Sequence, residues 1–316
     1  MKFEIKEKLL KFNTPRRIVQ FVSFIFFSAI VFNLGALSLL LPVLWTWGLQ
    51  QNTAGDAFTA FQFLSSGWPR ENPVAFAVFP WLALASFLIT GVLIGKALCG
   101  WVCPFGFVQD LLGFVKRRHT EFSVRTHEST LYVKYAVLGI VLFISGTFGV
   151  AKVMNVSRGY ESGLGIFAYA PFSTLSPSET LFATLPGLIS NFASAVSQTP
   201  FWDAVSGISK LPVLFYIQFV ILVGVLILAI LVPRGWCRYF CPHGALMAVM
   251  NRFSFLGLRR DLAKCAKTGC RACIEACPMK VRILDLPWEK FSDPECIYCM
   301  KCVDACEDKA IRLKYP

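Results

Sequence analysis

Two stretches near the end of the chain decide its fold: CAKTGCRACIEACP at residues 265–278 and CIYCMKCVDAC at residues 296–306. Each contains four cysteines, and the second has the spacing C-x2-C-x2-C-x3-C. Proteins that hold two [4Fe–4S] clusters use this spacing, and the fourth thiolate of each run then binds the other cluster. The pattern predicts two ligand sets, one of Cys265, Cys270, Cys273 and Cys306, the other of Cys277, Cys296, Cys299 and Cys302.

The first run departs from the usual spacing without losing a ligand. Four residues separate Cys265 from Cys270 where two are usual, and Glu307 follows Cys306 where proline is usual. Eight thiolates could instead hold two zinc ions. The overlapping runs of four favour clusters over zinc. A tail this small buries little core, so we expect cluster binding to drive its folding.

The rest of the chain has the composition of a membrane protein. The mean hydropathy of the 316 residues is +0.58 and only 16% are charged, whereas soluble domains have about 25%. Four apolar segments are each long enough to cross a bilayer, at residues 18–41, 73–95, 131–150 and 211–232. We predict a membrane all-α domain of four transmembrane helices over residues 18–258, followed by a small α+β ferredoxin-like domain over residues 259–316.

Basic residues predict the orientation. They precede the first span, lie between the second and third, and follow the fourth. The positive-inside rule then puts residues 1–17, the C-terminus and the ferredoxin domain in the cytoplasm of a prokaryote, with the spans in its inner membrane. The net charge of +12 lies beside the apolar spans and not along one recognition element, so we expect no nucleic-acid partner. Thiols stay reduced in the cytoplasm, which argues against disulfides.

Two long loops are predicted on the other side of the membrane. Residues 54–67 read as a short amphipathic surface helix. Residues 154–210 are apolar but broken by proline and glycine, which favours interfacial or re-entrant pieces over a full span.

The remaining four cysteines form two similar boxes. The first lies in GKALCGWVCPFGFVQDL at residues 95–111, and the second in PRGWCRYFCPHGALMAV at residues 233–249. Both read C-x3-C-P-x-G, and each follows a predicted span. The membrane domain is therefore predicted to be two copies of one unit, two pseudo-repeated pairs of helices related by an axis along the membrane normal. Such an axis brings both boxes to one face. Cysteines four apart are also expected to share one face of a helix.

Three interpretations of the box cysteines remain open at this point. Cys99, Cys103, Cys237 and Cys241 could hold a third [4Fe–4S] cluster. They could form a dithiol redox relay or bind copper. They could also be structural thiols buried at a helix junction.

The motifs CGWVCPFG and GWCRYFCPHGAL, the four spans and the double-ferredoxin tail together resemble the NapH-type quinol dehydrogenase membrane subunits and their NosR-like and polyferredoxin-like relatives. The resemblance implies oxidation of menaquinol or ubiquinol coupled to one-electron carriers. It implies [4Fe–4S] clusters, a diffusible quinone or quinol, and a partner redox subunit that is ferredoxin-like or a cytochrome. The chain would be the quinol-oxidising or quinone-reducing subunit of an oxidoreductase complex.

A quinone site also needs polar groups that exchange protons. His243 inside the second box is the best placed, because histidine titrates near neutral pH. Asp110 and Lys96, which flank the first box, are further candidates. A different class of function is metal handling, in which the boxes bind or reduce copper or assist cofactor assembly. A third is a scaffold whose clusters only stabilise the tail.

Overall fold

The computed structural model describes residues 12–27, 88–115, 124–154, 156, 158–165, 167, 175–198, 211–265 and 270–315. The chain divides into two compact units. The first comprises Met1–Phe26, Leu88–Leu138 and Ala229–Pro316, and the second comprises Phe27–Phe87 and Gly139–Leu228. All twelve cysteines belong to the first unit.

Helices dominate the described residues of both units. In chain order the helices are α1 (Asn13–Phe27), α2 (Ala97–Trp101), α3 (Pro104–Leu112), α4 (Val124–Val153), α5 (Arg158–Leu164), α6 (Pro177–Glu179), a π-helical segment (Thr180–Thr184), α7 (Leu185–Gln198), α8 (Val213–Leu231), α9 (Gly235–Tyr239) and α10 (Pro242–Asn251). The tail adds β1 (Gly257–Arg260), α11 (Ala272–Glu275), a 3-10 turn (Ile283–Asp285), α12 (Lys301–Asp304) and β2 (Ile311–Lys314).

Within the part of the chain that the structure describes, two helices are long and apolar enough to cross a membrane. They are Thr126–Phe148 within α4 and Val213–Leu231, which is α8, and they coincide with the third and fourth predicted spans. The side chains of α8 are apolar on nearly every face of the helix. Its residues Val213 and Val220 are 74% and 69% exposed. Such a helix suits lipid, because water would penalise an apolar surface of this extent.

The structure describes only part of the other predicted membrane segments. Of the first predicted span the structure describes residues 18–27, which are helical within α1, and of the second it describes residues 88–95, of which 88–94 are helical. The predicted surface helix at residues 54–67 lies outside the described residues. The loop predicted to contain short apolar pieces holds α5, α6, the π-helical segment and α7, of 7, 3, 5 and 14 residues.

Each cysteine box is a helix, a break and a second helix. In the first box α2 ends at Trp101, Cys103 is the N-cap of α3, and Pro104 opens α3. In the second, Cys241 is the N-cap of α10 and proline again follows. Proline is suited to the first helical position because its missing N–H is not needed there.

The backbone hydrogen bonds of the two boxes correspond. Cys103 N–H donates to Leu98 O at 3.1 Å, and Cys241 N–H donates to Trp236 O at 3.0 Å. The prediction that both cysteines of a box lie on one face of a single helix is wrong, because the backbone leaves the helix at the residue before the second cysteine. The first cysteine therefore lies in one helix and the second begins the next.

The tail is a small α+β domain. Strands β1 and β2 pair antiparallel, and buried apolar side chains pack beneath them, among them Leu258, Met279 and Phe291. Three cysteines are buried in the same core, Cys273, Cys299 and Cys302. Ala97, Cys99 and Trp101 pack against this core, so the first box and the tail form one packed body.

The tail also contacts the N-terminus of α1. The two carboxylate oxygens of Asp304 accept hydrogen bonds from Phe12 N–H and Asn13 N–H, both at 2.9 Å. A carboxylate at a helix N-terminus satisfies unpaired amide groups and favours the helix dipole. The capping carboxylate belongs to a residue 291 positions after Asn13. The position of the tail therefore fixes where α1 begins.

Candidate functional site

The four box cysteines come together at the junction of the two boxes. Burial, together with the charge of Cys237, raises the pKa of the Cys99 thiol to about 11 and that of the Cys103 thiol to about 12. The pKa of Cys241 is raised by burial and by the charges of the other three box cysteines. The four thiols are thus near enough to interact, and protonated in the absence of a cation.

Two glycines let the helices of the boxes close around the thiols. A Cβ on Gly106 would lie 3.2 Å from Cys99 O, and one on Gly244 would lie 3.1 Å from Cys237 O. Gly244 N–H also points at the Cys241 sulfur, at 3.4 Å. The glycine of the C-x3-C-P-x-G pattern therefore has the same function in both boxes, which is close approach to the first cysteine.

The tail cysteines fall into an inner and an outer group. Burial raises the pKa of Cys296, and the charges of Cys277, Cys302 and Cys299 raise it further. Those four residues are the inner set, the ones predicted to share a cluster. Cys273 interacts in the same way with Cys270 and Cys265. We call these three, with Cys306, the outer set, because the sequence predicts that the four share a cluster. The Cys306 sulfur accepts a hydrogen bond from Ala310 N–H at 3.3 Å. Cys270 is exposed to solvent.

The donor chemistry of all three sets suits iron. Soft thiolates are the ligands of iron–sulfur clusters, and a coordinated metal removes the thiol proton that burial otherwise retains. In the described part of the chain, no three or more His, Cys, Asp and Glu converge on a point that could hold a single metal ion. A four-iron cube is larger than one ion, and its ligands stand correspondingly farther apart.

The first box touches the inner tail set through a glycine. A Cβ on Gly100 would lie 2.1 Å from Ile297 O, and Ile297 is the residue after Cys296. Beside this contact Trp101 Nε1–H donates to Tyr298 O at 2.8 Å. Because Gly100 follows Cys99 directly, the missing side chain brings the backbones of the two cysteine sets together.

A buried ion cluster surrounds this contact. Asp110 Oδ1 accepts from Arg234 Nε at 2.9 Å, and its Oδ2 accepts from the same guanidinium at 2.8 Å. Arg16 approaches Oδ2 at 3.2 Å and Arg17 at 3.8 Å. Burial alone would raise the pKa of Asp110, but Arg234 and Arg16 hold it well below its usual value. The carboxylate is therefore ionised, and bound in the fork geometry that makes arginine pairs specific.

The ion cluster around Asp110 has a net positive charge and lies against cysteines. Three arginines face one aspartate, and Arg234 also donates to Cys99 O at 2.8 Å. Arg234 interacts electrostatically with Cys237 in the second box and with Cys299 in the inner tail set. Buried cations are costly unless anions compensate them. An iron–sulfur cluster held by four thiolates carries net negative charge and would supply that compensation.

A second buried ion cluster joins two lysines to one glutamate. Lys96 Nζ lies 3.1 Å from Glu295 Oε2, and Lys134 binds the same oxygen. Burial would raise the pKa of Glu295, but the two lysines lower it to about 2. Asn251 links the region further, because its side-chain oxygen accepts from Lys96 N–H at 3.1 Å and its amide donates to Cys296 O at 3.2 Å.

The three predicted quinone-site candidates have different surroundings. Asp110 and Lys96 are buried in the two ion clusters, and Lys96 is only 1% exposed. His243 is half-buried at the second position of α10. Gln109, next to Asp110, donates to the Cys237 sulfur at 3.1 Å.

Sequence reasoning missed the partners of these residues, although one signal was visible. Lys96 stands three residues before Cys99, and Arg234 stands three residues before Cys237. Each is a buried cation bound to a remote carboxylate. The repeated spacing of cation and cysteine could have identified both. Arg16, Lys134 and Glu295 lie outside the repeat and carry no such signal.

Comparison with known proteins supports the iron–sulfur assignment. The profile described as "4Fe-4S binding domain" matches residues 75–120 and 214–261, and the "4Fe-4S dicluster domain" matches residues 257–307. An uncharacterized protein of Methanocaldococcus jannaschii is 25% identical over 73% of this chain and 77% of its own length. No solved structure matches.

Named relatives include a ferredoxin-type protein and a regulatory protein. "Ferredoxin-type protein NapH" of Haemophilus influenzae is 25% identical over 71% of this chain and 64% of its own length. "Regulatory protein NosR" of Pseudomonas aeruginosa is 25% identical over 85% of this chain but 32% of its own length. The match thus spans about two thirds of the first protein and one third of the second.

Removing the charge of Asp110 should destabilise the protein strongly. Asp110→Asn leaves Arg16 and Arg234 buried without an anion, which we expect to cost about 3 kcal/mol in the free energy of unfolding. Asp285→Asn is the matched control, because its pair with Arg282 is exposed and its loss should cost less than about 0.5 kcal/mol. Denaturation in detergent measures both. Equal stability of the two variants would contradict the structural role of the ion cluster.

Adding one methyl group at Gly100 should separate the box from the tail. Gly100→Ala places a Cβ against Ile297 O, and we expect overpacking to lower stability by about 1–3 kcal/mol. Gly139→Ala in α4 is the control, since nothing lies within 4 Å of its Cβ position and alanine favours helix. The midpoint of thermal unfolding compares them. A Gly100→Ala protein as stable as the control would show that the backbones are not in close contact.

Proposed function

Because the chain belongs to the NapH/NosR-like polyferredoxin family, we propose that it is a membrane electron-transfer subunit. It exchanges electrons between the quinone pool and the iron–sulfur carriers of a partner redox enzyme. The iron–sulfur electron-transfer role comes from the family. The quinol specificity is the proposal.

One observation carries the proposal: the backbone segments that hold the first box and the inner tail cysteines are in close contact, at Gly100 and Ile297. We infer that Cys99, Cys103, Cys237 and Cys241 hold a third [4Fe–4S] cluster, beside the two held by the inner and outer tail sets. Each cluster would supply one-electron redox chemistry, so the two electrons of a quinol would leave in two single-electron steps.

The protein's own residues would order and insulate these cofactors. The box set lies where apolar helices end, within reach of a lipid-soluble carrier. The outer set includes the exposed Cys270, where a ferredoxin-like or cytochrome partner could approach. Arg234 and Arg16 would balance the negative charge of the box and inner sets.

His243 is the residue proposed to receive a quinol proton. Asp110 and Lys96 are bound to buried counter-ions, and the histidine side chain in general titrates near neutral pH. The location in a prokaryotic inner membrane, with both termini cytoplasmic, is part of the same proposal, as are the boundaries at residues 17 and 258.

Replacing two box cysteines should remove one cluster. We expect about twelve irons per chain in the anaerobically purified protein and about eight in Cys99→Ser/Cys237→Ser, because each cubane holds four irons. Iron and protein determination measure the ratio, and the spectra of the tail clusters serve as the internal control. About eight irons in the unaltered protein would rule out the third cluster.

Quinol should reduce the loaded protein in lipid. We expect a menaquinol analogue to bleach the cluster absorption, and His243→Gln to slow this by at least about tenfold, because general acid–base groups contribute factors of this size or more. Asp285→Asn, whose side chain is exposed and pairs with Arg282, is the control and should change the rate less than about twofold. Loaded protein that neither accepts electrons from a quinol nor donates them to a quinone would end the proposal.

A further inference from the structure

One face of the tail's two-stranded sheet carries only positive charge. Arg259 on β1 is directly opposite Arg312 on β2, and Gly257 is opposite Lys314. Opposite residues in an antiparallel pair point to the same face, as do residues two apart. Lys290 covers Gly257, because a Cβ there would lie 2.7 Å from its Cε. We call Arg259, Lys290, Arg312 and Lys314 the basic sheet face.

This arrangement is unfavourable in the isolated protein. Like charges directly opposite each other destabilise a strand pair. Among the described residues, none of these four cations forms an ion pair with a carboxylate. Arg259 and Arg312 are both exposed. The face therefore lacks a counter-charge that an external anion could provide.

The basic sheet face begins where an apolar span ends. Phe255 N–H donates to Val92 O at 2.9 Å, and Leu256 N–H donates to Leu93 O at 3.3 Å. Val92 and Leu93 belong to the second predicted span, so β1 starts at the membrane boundary of the chain. Lys290 Nζ donates to Phe255 O at 2.9 Å, which places this ammonium group at the same boundary.

Part of the basic sheet face lies within the thickness of a headgroup layer. A strand rises about 3.3 Å per residue, so Gly257 and its partner Lys314 lie within about 7 Å of Phe255, whereas Arg259 and Arg312 lie about 13 Å from it. Each headgroup layer is about 5–8 Å thick. Phe253 and Phe255 are 69% and 46% exposed at the same level, which is where membrane proteins place aromatic rings.

We propose that the basic sheet face binds anionic phospholipid headgroups of the membrane that the chain spans. Phosphate groups would supply the missing counter-charge, and the two phenylalanines would enter the adjacent apolar layer. The juxtaposed aromatic rings and the hydrogen bonds to a span end favour lipid over an acidic protein. The inference rests on the membrane location given under the proposed function, and it adds a ligand that electron transfer does not require.

Soluble short-chain lipids test the proposal on the full, cluster-loaded chain in detergent. Native mass spectrometry at low ionic strength measures the affinity for dioctanoyl phosphatidylglycerol and dioctanoyl phosphatidylcholine. We expect the anionic lipid to bind more tightly, and Lys290→Gln/Lys314→Gln to weaken it by at least about tenfold, because each basic residue near a membrane surface contributes to anionic-lipid binding. Arg158→Gln/Arg282→Gln removes the same charge from other exposed positions and should retain the unaltered affinity.

Three outcomes would overturn the inference. The two lipids could bind equally, the sheet variant could bind like the control, or free glycerol phosphate could compete as well as the lipid does. The last result would indicate a site for a small anion and not for a membrane surface. Quinol oxidation is measured separately on the same preparations, so a loss of lipid preference with intact activity rejects this inference and leaves the proposed function standing.

Discussion

Asp110 connects three parts of the chain that are far apart in sequence. It lies in the helix after the first cysteine box, binds Arg234 just before the second box, and binds Arg16 in the first helix. A buried carboxylate of this kind is stable only while its cations surround it. The two boxes can therefore adopt their common arrangement only when α1 and the residues before α9 are also in position.

The same constraint explains why the tail and the membrane boxes form one unit. Arg234 and Arg16 both reach the backbone oxygen of Gly100, at 3.4 and 3.5 Å, and Gly100 lies against Ile297. Glu295, two residues earlier in the tail, is held by Lys96 and Lys134. Two clusters of buried charge thus flank the contact between Gly100 of the first box and Ile297 of the tail, and excess positive charge there suits anionic cofactors.

Sequence predicts cysteine sets but not their surroundings. Cysteine spacing is a local property of a short loop, so the sequence can predict that Cys277 groups with Cys296, Cys299 and Cys302. The break between the two helices of each box cannot be predicted in this way, because it depends on the backbone at Val102 and Phe240 and on the close packing of Gly106 and Gly244. Glu295 and Arg16 find their partners across long separations, which no periodic pattern encodes. Lys96 and Arg234 could be identified from the sequence, because each stands three residues before the first cysteine of a box.

The central claim is that the box cysteines hold a cluster next to the inner cluster of the tail. Anomalous scattering at the iron absorption edge, from anaerobically grown crystals of the full chain, tests it directly. The account predicts three iron peaks, with the one among Cys99, Cys103, Cys237 and Cys241 nearer to the inner tail peak than to the outer one. Two peaks confined to the tail, with none between the boxes, would contradict it.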